Sequence, residues 1–141
     1  MSRQTFLTIA SIIALLFGTF AVLFPGILLQ SKGVEPVKAT VIWVIEVGCL
    51  LIALGLIAFL CRKHDASPTM KVFLFGNIVI QLALAAIEIV AYFNNIITKL
   101  SGIIPNILIH IILAIGFIHF CWLVHSDLKQ IQANKKFSKS K

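Results

Sequence analysis

Four long apolar runs dominate this chain: Phe6–Leu29, Val41–Cys61, Val72–Phe93 and Ile107–Val124. A bilayer's hydrocarbon core needs about 20 such residues per helical crossing. In hydrocarbon a helix satisfies its own backbone donors and acceptors, so these runs predict helices. The expected fold is all-α, a four-helix transmembrane bundle. Residues 1–126 form one domain, and residues 127–141 form a basic tail. The chain is 141 residues long, so no second folded unit fits beside the spans. Its 60% apolar and 12% charged content departs from soluble domains, which average about 45–50% apolar and about 25% charged.

The first run follows Arg3 but is too long for a signal-peptide core of about 7–15 residues. It ends at Phe24-Pro25-Gly26 with no small-residue cleavage pattern, and it reads as a retained span. Pro25-Gly26 ends or kinks that helix.

Basic residues orient the bundle. With four spans, one side carries Arg3, Arg62, Lys63, Lys71, Lys129, Lys135, Lys136, Lys139 and Lys141. The other side carries Lys32, Lys38 and Lys99. The positive-inside rule places both termini in the cytoplasm of a multi-pass cell-membrane protein. The net charge of +7 therefore suits topology and anionic lipid at the cytoplasmic face, and no nucleic-acid partner is expected.

Ala10, Ala14 and Gly18 recur at intervals of four, the pattern of a close-packed seam with another helix. That neighbour lies in the same chain, in a homodimer or in a partner membrane subunit. Ser67-Pro68 marks the start of the third span. The third loop, Asn94–Asn106, is rich in isoleucine and reads as a short interfacial helix or a helix extension. The last residues, Lys135–Lys141, are expected to be disordered. Cys49, Cys61 and Cys121 lie in or at the ends of spans as apolar fillers. No phosphate loop, zinc-peptidase motif or metal-ligand spacing is present, and no cofactor or metal is expected.

Three polar residues fall where polar residues are costly: Glu46, Glu88 and His110, in the second, third and fourth spans. A charge at the bilayer centre costs roughly 2.5–3.5 kcal/mol on insertion scales. Such groups face a bundle interior, a partner or a wet cavity. On the third span Asn77, Gln81, Ala85, Glu88 and Tyr92 follow at intervals of four, four, three and four. At about 100° per residue this stripe occupies an arc of roughly 80°. By helical rise, Glu46, Glu88 and His110 all sit roughly 5–9 Å below the outer boundary. The expected site is an outer-leaflet pocket of Glu46, Glu88 and His110, with Tyr92, Gln81 and Asn77 as further ligand-binding residues. Asn106 and Tyr92 would line its mouth. On the second span, Gly48 and Gly55 lie nearly opposite Glu46. If the glycines mark the packing seam, Glu46 points at lipid or at a second subunit.

The order of features resembles a group of small four-helix bacterial membrane proteins. These features are Phe24-Pro25-Gly26, the loop glycine Gly33, Glu46-Val47-Gly48, Ser67-Pro68 and Gly116-Phe117. The group is allied to the DoxX-like proteins, and the resemblance implies a membrane accessory role beside a partner subunit or a quinone. The EXPERA proteins offer a chemical analogy, intramembrane acids in a pocket for sterols or amines. Small multidrug transporters use a glutamate in their first span, which this chain lacks. The expected function is an accessory protein or a binder of a small hydrophobic or cationic ligand. A membrane enzyme or proton-linked transporter using the same cluster is the alternative.

Overall fold

The computed structural model describes residues 1–139, with side chains through Asn134 and Lys135. Five α-helices follow in order: α1 (Arg3–Leu23), α2 (Pro25–Ser31), α3 (Lys38–Cys61), α4 (Pro68–Phe93) and α5 (Ile104–Lys139). A single 3-10 turn, Leu100–Gly102, precedes α5, and no strand forms among the described residues. Four of the helices are long and apolar enough to cross a membrane.

Local chemistry sets the helix ends. Ser2 and Ser67 cap α1 and α4, their hydroxyls accepting from Thr5 N and Met70 N. Pro68 then occupies the first turn of α4, where its missing N–H is harmless. The first apolar run is broken at Phe24 (φ −132°, ψ 48°), directly before Pro25. The proline ring disfavours helical geometry at the preceding residue. The run therefore makes one long helix and one short one, α2, which bends across the end of the bundle remote from the termini.

The long helices pack as two pairs, α1 on α3 and α4 on α5. The seam of the first pair is close. A Cβ on Gly18 would lie 2.8 Å from Gly48 O, and one on Gly55 would lie 2.9 Å from Leu15 Cγ. Ser11 adds a buried hydrogen bond from its hydroxyl to Gly55 O at 2.8 Å. The close contacts on α1 run through Ser11, Leu15, Gly18, Ala21 and Val22. Of the expected Ala10–Ala14–Gly18 face, Gly18 lies in this seam, Ala10 joins the core cluster and Ala14 lines a cavity.

The two pairs meet at the end that holds the termini. Phe6 of α1 lies edge-on to Phe117 (centroids 4.9 Å apart) and stacks on Phe120 (5.1 Å), both on α5. Gly116 leaves room for the Phe6 ring, which any Cβ there would strike. Leu7, Met70, Leu74, Leu113 and Val124 complete this cluster. Arg3 Nη2 also donates to His64 O in the α3–α4 loop. Cys61 and Cys121 pack against the cluster, whereas Cys49 is exposed.

At the opposite end, the loops hold each other. Thr98 N and Lys99 N both donate to Lys32 O (3.1 and 3.2 Å), and Thr98 Oγ1 donates to Gly33 O (3.1 Å). Gly33 has φ +74°, and a Cβ there would strike Thr98 Oγ1, so glycine is required twice over. The third loop is neither an interfacial helix nor an extension of α4. It turns at Asn94-Asn95, buries Ile97 and Ile103, and makes the 3-10 turn between them.

The C-terminal segment also departs from expectation. α5 continues without a break to Lys139, where disorder was expected from Lys135. Ser140 and Lys141 lie outside the described residues.

Candidate functional site

Between the two helix pairs lies a cavity of about 410 Å³. Ligand pockets commonly measure about 300–1,000 Å³. Most of its wall is apolar, with Ala14 and Phe17 from α1, Val47 and Leu51 from α3, and Leu84 from α4. α3 and α4 both line it yet make no extended contact with each other. The bundle is therefore packed along α1–α3 and α4–α5, and the two pairs are joined at the terminal end by the phenylalanine cluster.

The polar groups gather at the loop end of this cavity. Glu88 lies five residues before the end of α4, and His110 six residues into α5. Lys32 Nζ, from the loop after α2, donates to Glu88 Oε1 in an ion pair. Asn106 Nδ2 donates to the same oxygen at 2.6 Å and lies 3.5 Å from His110 Nε2. His110 Nδ1 is 2.6 Å from Gln81 Oε1. With the amide oxygen so placed, the ring proton sits on Nδ1 and the Nε2 lone pair faces Asn106. Lys32, Glu88, Asn106, His110 and Gln81 thus form one continuous polar chain.

Glu88 is 9% exposed, and its Oε2 has no hydrogen-bond partner among the described residues. A buried carboxylate oxygen without a donor is costly. It is the fully buried acceptor of this chain that no donor reaches.

The structure gathers some of the expected residues and separates others. Glu88, His110, Gln81 and Asn77 line the cavity. Asn77, however, donates its amide to Phe73 O at 3.0 Å and stays outside the polar chain. Tyr92 is half-buried with its ring 6.0 Å from Phe93, and it does not line the cavity. Glu46 is exposed and likewise outside the lining. The expected meeting of Glu46 with Glu88 and His110 does not occur within one chain. Seam packing is the reason. Gly48 and Gly55 hold α3 against α1, and this rotation turns Trp43, Val47, Leu51 and Leu54 to the cavity. At about 100° per residue, Glu46 then stands roughly 95° from the centre of that lining face.

Two members of the chain were not expected as partners of Glu88. Asn106 was placed only at the mouth. Lys32 was counted only for orientation, since a lone lysine in a short polar loop carries no signal of an inward partner. Among the described residues, no group of three histidine, cysteine or acidic side chains comes together as a metal site requires.

No protein-family model, curated protein or solved structure matches this chain.

Proposed function

We propose that this is a multi-pass cell-membrane protein that binds a small amphiphile, polar head at Glu88 and His110, tail along the cavity. The single observation that carries the reading is the shape of the site. A 410 Å³ apolar cavity ends in a part-buried polar chain and is lined by two apolar helices, α3 and α4, that make no extended contact with each other. Exposed Leu50, Leu56, Phe75 and Val79 on α3 and α4 suit contact with lipid tails. A ligand dissolved in the outer leaflet would enter between α3 and α4, which no extended contact holds together. The positive-inside count supports cytoplasmic termini and, with them, a polar chain in the outer leaflet. An accessory role beside a partner subunit or a quinone belongs to the same proposal and rests on the resemblance to DoxX-allied proteins in markers such as Phe24-Pro25-Gly26 and Glu46-Val47-Gly48.

A proton-linked transporter is the second reading, favoured by the hydrogen-bonded run from Glu88 to Gln81. That run stops short, because the next polar group on α4, Asn77, turns its amide to its own helix. Binding therefore fits the site better than passage through it.

The test is native mass spectrometry of the protein drawn directly from membranes, wild type beside Val47→Trp, which fills the cavity from α3. A co-purified species of discrete mass, lost in the variant, is the expected result. Identical bare spectra for both proteins would sink the binding reading.

A further inference from the structure

Within the proposed binding role, the polar chain restricts what the head of the ligand can be. Glu88 Oε1 is already saturated by Lys32 and Asn106. Glu88 Oε2 is buried and unpartnered, beside a cavity that Glu88 itself lines. His110 gives its Nδ1 to Gln81 and presents an acceptor at Nε2, held only by a 3.5 Å contact. The unfilled capacity at Glu88 and His110 is thus for a donor. A hydroxyl on a carboxylate makes a short, charge-assisted bond. A ketone or ether could not satisfy Oε2.

Charge decides between donors. Lys32 and Glu88 cancel, so the pair offers no net negative charge to a cation. In a low-dielectric setting, an ammonium at Oε2 would meet the Lys32 ammonium across one carboxylate, a strong repulsion. A carboxylate ligand would meet Glu88 in the same way. A neutral donor meets neither penalty.

We propose that the ligand is a neutral, hydroxyl-bearing amphiphile, its O–H donated to Glu88 Oε2 and its chain lying in the cavity toward α3 and α4. Lys32 sets this preference. It belongs to the loop cap, fixed by the bonds from Thr98 and Lys99 to its carbonyl, so its charge stays at the head of the site.

The experiment uses the full chain in nanodiscs with four probes of equal length: 1-dodecanol, dodecylammonium, dodecanoate and dodecane. Binding is read by native mass spectrometry and by competition among the probes. The expected result is that 1-dodecanol binds about tenfold or more tightly than each of the others, a factor of one well-placed hydrogen bond to a charged group. In Lys32→Gln, the uncompensated carboxylate should reverse the order, with dodecylammonium ahead of 1-dodecanol. Equal binding of 1-dodecanol and dodecane, or a wild-type preference for the ammonium or the carboxylate, overturns the neutral-donor assignment. In those outcomes sensitivity to Val47→Trp still upholds the cavity as a binding site. Binding of none of the four, or binding indifferent to Val47→Trp, overturns the amphiphile reading itself. Retention of the dodecanol preference in Lys32→Gln overturns the role given to Lys32.

Discussion

Lys32 and Glu88 stand 56 residues apart in the chain and form an ion pair at the loop end of the cavity. The pair joins the cap after α2 to α4, two elements from different halves of the bundle. Both side chains are largely buried, so each depends on the other. Removing Lys32 leaves a buried carboxylate with only Asn106 as donor. Lys32→Ala should therefore destabilise the protein by about 1.5–3 kcal/mol, the range for hydrogen bonds to charged groups. A double-mutant cycle with Glu88→Gln, read by reversible unfolding, should show non-additive losses. Strict additivity would mean that the two side chains do not interact.

The α1–α3 seam predicts opposite outcomes for two glycines. A Cβ on Gly18 would sit 2.8 Å from the Gly48 carbonyl and 2.9 Å from Ile52 N, both backbone atoms that cannot step aside. Gly18→Ala should cost about 1–3 kcal/mol, as overpacking does. A Cβ on Gly76 would meet nothing within 4 Å. Gly76→Ala should be neutral or stabilising by up to about 1 kcal/mol through helix propensity. Melting temperatures of the two variants side by side decide the matter, and a tolerated Gly18→Ala would contradict the close seam.

The Phe6 ring is the main bridge between the helix pairs. It sits against Phe117 and Phe120 and over Gly116. Phe6→Ala should cost about 3–5 kcal/mol, as large-to-small changes at packed aromatics do. Cross-linking or hydrogen exchange should then show α1 loosened from α5 at the terminal end, with the α1–α3 seam intact.

Glu46 serves as the internal control for the site. It is exposed, on the side of α3 opposite the glycine seam. Glu46→Gln should leave the ligand found with wild type in place and shift stability by no more than about 0.5 kcal/mol. Loss of ligand in this variant, with Glu88→Gln unaffected, would show that the assignment of the two glutamates is reversed.

Part of the cavity wall was legible from spacing alone. Asn77, Gln81 and Glu88 share one stripe, and all three turn toward the cavity because the rest of α4 from Val72 to Val90, apart from Gly76, is apolar. His110 came from the cost of an imidazole in an apolar run, and it too lines the cavity. Tyr92, on the same stripe, does not. It lies one residue from the end of α4, where the chain already turns into the loop. Periodicity stops constraining a side chain at that point.

The sequence by itself determined the number of long helices, their apolar character, the break at Pro25 and the start of α4 at Ser67-Pro68. These are local properties, set by hydropathy over one window or by the backbone of one or two residues. Only the tertiary structure decided which face of each helix meets which neighbour. Gly18, Gly48 and Gly55 set the rotation of α3, and that rotation excludes Glu46 from the cavity. It also decided that Lys32, rather than a second carboxylate, completes the site at Glu88. Side-chain rotation and loop reach depend on contacts between segments far apart in the chain, and the spacing within one segment carries no record of them.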